Sequence, residues 1–113
     1  MTPERFDAVC AALPGVHMDV QWGADHVWKV GGKMFAVRGP DGSFCFKASD
    51  IAFEVLTADG PGVPAPYLAK AKWVWFADIA DADDTDLEDW LKTAHGLIAG
   101  KLTKKARKEL RID

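Results

Sequence analysis

The chain has 113 residues, of which 49% are hydrophobic and 27% are charged, and its formal net charge at pH 7 is -3. This length is typical of one domain with a buried core, so we expect residues 1–113 to form a single domain. The acidic balance excludes a protein that coats nucleic acid with its whole surface, because phosphate neutralisation supplies most non-specific affinity. The sequence has no apolar run of the roughly 20 residues that cross a bilayer and no secretory signal pattern at its start. We therefore expect a cytoplasmic protein without membrane contact.

Charge is distributed unevenly along the chain. Residues 78–89 carry seven acidic side chains and no basic one, whereas residues 101–111 carry six basic side chains against Glu109 alone. The six basic residues are Lys101, Lys104, Lys105, Arg107, Lys108 and Arg111. A polyanionic partner is therefore expected to contact this C-terminal segment.

The N-terminal segment is predicted to form a helix followed by a strand. Thr2 supplies a capping hydroxyl and Pro3 suits the first turn. The apolar residues that repeat at helical spacing are Phe6, Val9, Cys10 and Leu13. Residues 17–22 then alternate, which predicts a strand with one apolar face formed by Met18, Val20 and Trp22.

Two glycine turns separate the next apolar segments. Gly31 and Gly32 stand between residues 26–30 and 33–38, and a second turn at 39–42 precedes residues 43–47. Because glycine reaches the positive φ values of tight hairpin turns, these segments are predicted to be antiparallel strands. The first turn is not a phosphate-binding loop, because a strand follows its lysine where that loop requires a helix.

The middle of the chain is predicted to contain a helix, a loop and a strand. Either Ser49 or Asp50 can cap the helix, which ends at Gly60, and the prolines of segment 61–66 indicate a rigid extended loop. The strand at 72–78 has apolar residues on both faces, with Trp73 and Trp75 on one side and Val74 and Phe76 on the other. Such a strand is central, or its second face is covered by the chain, another subunit or a ligand.

The C-terminal part is predicted to be helical. Thr85 and Glu88 match a capping box at the start of a long helix, and Gly100 predicts a break before a short helix that ends near Leu110. Together, these elements predict an α+β fold of two layers. An antiparallel sheet of about five strands would pack against N- and C-terminal helices.

No residue pattern indicates catalysis, a metal or a cofactor. Cys10 and Cys45 are far apart and have apolar neighbours, which is typical of unreactive core thiols. His17 and Asp19 share a strand face, but no third metal ligand has suitable spacing, and solvated polar groups are the better interpretation. His95 is interpreted as a surface or boundary residue. We therefore predict a protein that is not an enzyme.

Several segments together resemble the MmcQ/YjbR family of small bacterial proteins. They are Gly32-Lys33-Met34-Phe35-Ala36, the Pro61-Gly62-Val63 loop leading to Tyr67, Lys70 and Lys72 before Trp73, and Lys101-Leu102-Thr103-Lys104-Lys105-Ala106-Arg107. The resemblance implies a two-layer fold similar to frataxin-like and secretion-chaperone-like domains, and it implies DNA binding by a double-wing arrangement. The chain departs from the family pattern at Thr103, where proline is usual, and at Ala94 and His95, where a Ser-Tyr pair is often seen.

Two functional hypotheses follow from these patterns. The first is a non-enzymatic DNA-binding protein that contacts phosphates without reading sequence. Its contact residues would be the six basic residues of segment 101–111, extended by Lys70, Lys72 and Lys33. The alternative is a protein-interaction module or homodimer that uses the apolar sheet face around Trp73 and Trp75.

Overall fold

Residues 1–112, which the computed structural model of the protein describes, contain six strands and four α-helices. The strands are β1 (Val16–Gln21), β2 (Asp25–Val30), β3 (Lys33–Arg38), β4 (Phe44–Lys47), β5 (Val63–Pro64) and β6 (Trp73–Phe76). The helices are α1 (Pro3–Ala11), α2 (Asp50–Ala58), α3 (Asp84–Ala99) and α4 (Lys104–Glu109). Within these residues, no helix combines the length and apolar character needed to span a membrane.

The strands form one antiparallel sheet in the order β1-β2-β3-β4-β6-β5. The first four strands are neighbours both in sequence and in space, as the glycine turns predict. β5 has only two residues and pairs at the edge with β6. The sequence does not predict it, because Pro64 and the prolines on either side indicate a loop. The predicted α+β architecture, a sheet packed against N- and C-terminal helices, is confirmed.

One face of the sheet, the helix face, packs against α1 and α3 and forms the larger core. Its strands contribute Trp28, Val30, Phe35, Ala36, Phe44, Phe46, Val74 and Phe76, and the two helices contribute Phe6, Val9, Cys10, Leu87, Leu91, Ala94, Ile98 and Ala99. The rings of Phe44 and Phe76 stack with their centroids 4.9 Å apart. Each buried phenylalanine contributes about 1.5–3 kcal/mol, so this layer holds the helices on the sheet.

A β-bulge in β3 allows two consecutive residues to enter this core. Trp28 pairs with Ala36, and the next residue, Lys29, pairs with Met34, so that Phe35 is the extra residue on β3. Phe35 and Ala36 are both fully buried in the same cluster. Regular strand alternation would have placed one of them on the opposite face.

The helix starts agree only partly with prediction. Thr2 and Ser49 cap α1 and α2. The capping box predicted at Thr85 is wrong, because the carboxylate of Asp83 accepts hydrogen bonds from the amides of Thr85 and Asp86 and begins α3. Aspartate and threonine both cap helices well, so a run of such residues leaves the starting point open.

The opposite face of the sheet, the open face, is partly covered by the chain itself. Ala65 and Leu68, from the segment that links β5 to β6, pack with Trp73, which is only 4% exposed. Trp75 lies beside them and remains half-buried. Trp22 was predicted to continue the apolar face of β1, but it lies in the β1–β2 turn with a φ of 50° and its side chain is exposed.

Candidate nucleic-acid interface

Lysines in or directly beside three strands lie at one end of the sheet. Lys33 begins β3, Lys47 ends β4, and Lys72 directly precedes β6. Because β4 is antiparallel to both neighbours, with Lys47 opposite Trp73, the start of β3, the end of β4 and the start of β6 lie at the same end of the sheet. The pairing register therefore brings together lysines that are far apart in the sequence.

Lys101 reaches the same end from the C-terminus of α3. Burial lowers the pKa of Lys47, and the ammonium groups of Lys101 and Lys72 lower it further, while Asp50 acts in the opposite direction. Like charges have this effect only when they are near, so Lys101 and Lys72 both lie in the neighbourhood of Lys47. The Lys47 ammonium is held in place because it donates a hydrogen bond to the carbonyl of Ala71.

Lys72 is fixed by its backbone and by an aromatic ring. Its φ is 64°, a left-handed conformation, and its ammonium lies 5.1 Å from the centroid of the Phe53 ring. A cation above an aromatic face gains about 0.5–1 kcal/mol at an exposed site. Lys70 lies in the 3₁₀ turn that precedes Lys72, and its side chain is exposed.

Helix α4 lies at this end because its apolar neighbours pack against two glycine turns. A side-chain carbon at Gly31 would come within 2.7 Å of Leu102, and one at Gly15 would come within 3.0 Å of Leu110. Gly31 begins the turn between β2 and β3, and Gly15 precedes β1. The basic residues of α4 point outward: Lys104, Lys105 and Lys108 are exposed, and Arg107 is half-buried.

Thr103 begins α4, and its conformation explains why this departure from the family pattern is accommodated. Its hydroxyl accepts a hydrogen bond from the amide of Ala106 at 3.0 Å. Its φ is -65°, which is the value that a proline ring imposes. Threonine and proline can therefore occupy this position with the same backbone.

These residues form the surface that we call the cationic end. Its members are Lys33, Lys47, Lys70, Lys72, Lys101, Lys104, Lys105, Arg107, Lys108 and Arg111. None of them forms a salt bridge within residues 1–112. Nine of the ten were predicted from sequence, and Lys47 was missed because a single lysine at the end of a strand carries no local signal.

The acidic residues of segment 78–89 lie at the other end of the sheet, which we call the acidic end. The amide of Ile79 donates to the carbonyl of Gly42 at 2.8 Å and ties this segment to the β3–β4 turn. Helix α3 begins here and ends beside Lys101. Its 16 residues span about 24 Å, which is the approximate separation of the two charged ends.

Asp7 on α1 is the centre of a polar cluster beside the core. Arg38 donates from Nη2 and Nε to its two carboxylate oxygens at 2.7 and 3.0 Å, and the Trp28 indole donates at 3.2 Å. Burial alone raises the pKa of Asp7, but these hydrogen bonds outweigh burial and hold the pKa below its usual value. His26 Nδ1 lies 3.0 Å from the carboxylate and 2.8 Å from Arg38 Nη2, so it can donate to one or accept from the other. This arrangement fastens α1 to β2 and β3.

The other candidate chemical groups already have structural partners. His95 is 6% exposed, with Nε2 2.8 Å from the carbonyl oxygen of Pro14 and its ring edge-on to Phe35, so its interpretation as a surface or boundary residue is wrong. Asp19 pairs with Lys29 at 2.9 Å. In the described part of the chain, no three His, Cys, Asp or Glu residues are grouped so as to hold a metal ion.

Comparison with known proteins identifies the family of this chain. The sequence model of the YjbR family matches residues 11–97. The chain belongs to the YjbR family. The fold is also similar to the crystal structure of Deinococcus radiodurans protein DR2400, with its DUF419 domain, at a TM-score of 0.86. The two share 24% sequence identity, over 99% of this chain and 89% of that chain, so this likeness concerns the fold alone. No curated protein matches the chain.

The residues matched by the YjbR family model include only part of the cationic end. Lys33, Lys47, Lys70 and Lys72 lie inside residues 11–97, whereas Lys101 and the basic residues of α4 lie beyond them. The matched part of this YjbR protein therefore supplies the lysines at the ends of the strands. The part beyond the match supplies the larger number of positive charges.

The two cysteines of this YjbR protein are free thiols. Burial raises the pKa of the Cys10 thiol and, with a smaller effect from Asp25, raises the pKa of Cys45 to about 12. A thiol must ionise to react as a nucleophile, so neither is prepared for catalysis at neutral pH.

Proposed function

We propose that this YjbR protein binds double-stranded DNA through the cationic end, in the cytoplasm and without catalysing a reaction. The observation that supports the proposal most strongly is the convergence of basic residues on one end of the sheet. They come from β3, β4, the segment before β6, the end of α3 and α4. Because none of these residues forms a salt bridge within residues 1–112, their charges remain available to phosphate oxygens.

The width of the cationic end sets the length of DNA that it can contact. It extends from α4, beside β1 and β2, to Lys72 at β6, and four strand spacings of about 4.8 Å give about 19 Å. At 3.4 Å per base pair this corresponds to roughly six base pairs. Contacts of lysine and arginine with phosphates position a protein but do not distinguish sequences, so we expect binding without strong sequence preference.

The experiment is a titration of a short fluorescent DNA duplex with the protein at low and moderate salt. We expect the association constant to fall linearly with salt on a logarithmic plot, because binding releases counterions. Reversing two charges with Lys104→Glu and Lys105→Glu should reduce affinity at low salt by about tenfold or more. Absence of binding by the wild-type protein at low salt would remove the proposal.

A matched pair of single variants separates the loss of a phosphate contact from the effect of the protein's net charge. Lys101→Glu and Lys92→Glu change the net charge equally, but Lys92 lies within α3, 3.3 Å from Glu88 and outside the cationic end. We expect Lys101→Glu to weaken binding and Lys92→Glu to have little effect. Equal losses in both variants would mean that DNA responds to overall charge, and the proposed interface would be wrong.

A protein-interaction surface around Trp73 and Trp75 is the second candidate. The half-buried Trp75 favours it, but Ala65 and Leu68 cover Trp73 and reduce the apolar area that a partner could bury. Sedimentation velocity over a range of protein concentrations tests for a homodimer. A strictly monomeric protein would exclude self-association through this face.

A further inference from the structure

A groove on the open face is unused by the proposed DNA interface. It lies between the β1–β2 turn and the segment that links β5 to β6, and its volume is about 550 Å³. The lining residues are Trp22, Asp25, Met34, Pro66, Tyr67 and Leu68. A smaller cavity that shares most of these residues adds Trp75 and Cys45 to its walls. Ligand pockets for small molecules typically measure about 300–1,000 Å³, so the groove has the size of a binding site.

Two aromatic residues are displayed at this groove under backbone strain. Trp22 is 67% exposed, and Tyr67 is fully exposed. Their φ angles are 50° and 66°, in the left-handed region that large side chains rarely adopt. Packing does not account for either ring, because neither is buried. Strained residues are enriched where a protein presents a group to a ligand.

The negative charge in the groove favours a positively charged ligand. Among residues 1–112, Asp25 is the only charged side chain that lines the groove or the adjoining cavity. Its carboxylate has no salt bridge, and no side-chain hydrogen bond joins it to any other part of residues 1–112. A carboxylate with no internal partner attracts a cation and repels phosphate, so the groove cannot serve the DNA backbone.

The aromatic lining favours an organic cation over a metal ion. The faces of Trp and Tyr rings attract cations, and quaternary ammonium groups are held by such rings because their methyl groups also bury apolar surface. A metal ion would need several oxygen, nitrogen or sulfur ligands. The side chains of this lining offer one carboxylate, the weakly ligating Ser43 hydroxyl and a Cys45 thiol whose pKa is raised to about 12.

We propose that this groove binds a small molecule that carries a quaternary ammonium group. The rings of Trp22 and Tyr67 contact its methyl groups, and Asp25 balances its charge. Met34 and Leu68 supply the apolar floor for the remainder of the molecule. The site is independent of the cationic end, because a change at Asp25 or Trp22 alters no residue of that surface.

The test compares choline with its uncharged isostere 3,3-dimethylbutan-1-ol, using tryptophan fluorescence or the indole N–H signals in NMR. The two probes have nearly the same shape and differ in charge. We expect choline to bind at least about tenfold more tightly, because cation–π attraction and the Asp25 charge act on it alone. Equal affinities, or no binding of choline at millimolar concentration, would overturn the proposal.

Two variants connect binding to the named residues. Asp25→Asn keeps the side-chain shape and should reduce choline affinity about tenfold, and Trp22→Gly removes a ring at a backbone angle that glycine adopts freely. Tyr67→Phe keeps an aromatic ring and should retain binding, which makes it the control. Unchanged choline affinity in both Asp25→Asn and Trp22→Gly would refute the site. A trimethyllysine peptide that binds far more tightly than choline would replace the small molecule with a protein partner.

Discussion

At the scale of single residues, backbone strain coincides with the two proposed sites. Within residues 1–112, the residues other than glycine that have a positive φ are Trp22, Tyr67, Lys72 and Arg111. The left-handed conformation costs a residue with a side chain roughly 1–2 kcal/mol. Two of the four line the groove and two belong to the cationic end. Chain geometry also accounts for the latter two, because Lys72 ends a 3₁₀ turn and Arg111 directly follows the cap of α4.

Removing the strained ring of Trp22 should cost little stability. Trp22→Gly relieves the left-handed conformation, and this gain offsets the greater entropy of glycine in the unfolded chain, so the free energy of unfolding should stay within about 1 kcal/mol. Trp73→Ala, which empties a buried site, should cost about 3–5 kcal/mol. Urea denaturation measures both. A loss of several kcal/mol in Trp22→Gly would show that its ring is structural.

Asp7→Asn should destabilise the protein in a pH-dependent way. The variant keeps the shape but weakens the charged hydrogen bonds to Arg38, at a cost of about 2 kcal/mol at pH 7. Because the pKa of Asp7 is lowered by folding, its contribution is complete above the unfolded value of about 4 and declines as pH falls through the folded value. Urea denaturation at neutral and acidic pH should therefore show the two proteins converging in acid. Asp89→Asn, an exposed control on α3, should change stability by less than about 0.5 kcal/mol.

At the scale of elements, the cap of α4 connects local structure to the DNA interface. Thr103→Ala removes the hydroxyl that accepts from Ala106 and should cost about 1 kcal/mol. Because α4 has only six residues, we expect the loss as local fraying, with faster amide exchange in segment 106–110 and weaker DNA binding. Thr103→Ser retains the hydroxyl and should behave like the wild type. Unchanged exchange in Thr103→Ala would mean that packing alone holds α4.

Prediction from sequence succeeded where neighbouring residues decide the structure. The caps at Thr2 and Ser49, the Gly31–Gly32 hairpin and the break after Gly100 each depend on a few adjacent residues. The bulge that buries Phe35 beside Ala36 has no signal in the adjacent residues, and the sequence therefore does not predict it.

The same distinction holds for the candidate sites. The basic residues of segment 101–111 are consecutive and were evident in the sequence. Lys47 joins them only through the pairing of β4 with β6, and Asp7 meets Arg38 across 31 positions, so no local pattern marks either. Trp22 was assigned to the wrong surface because regular alternation was extended into a turn.

At the scale of the whole molecule, the separation of the two charged ends predicts a specific salt dependence. Asp81→Asn with Asp83→Asn neutralises two charges at the acidic end while asparagine still caps α3, and the charged ends are about 24 Å apart. This exceeds two screening lengths of about 8–10 Å at physiological salt, so DNA affinity there should change less than about twofold. In very dilute salt, where the screening length approaches about 30 Å, affinity should rise measurably.

The matched control for that comparison is Lys104→Gln with Lys105→Gln, which removes two charges at the cationic end. Each lost phosphate contact lowers the salt slope by about 0.9, so the slope should decrease by about 1.8. If the aspartate and lysine pairs altered affinity equally at physiological salt, the two ends would not be electrically independent.

The opposed ends also give the molecule a large permanent dipole moment directed along its strands, although its net charge is only -3. In the field around a polyanion, such a dipole experiences a torque before any contact is made. The protein therefore rotates during its approach, with the basic side leading, and a larger fraction of collisions begins in a productive orientation.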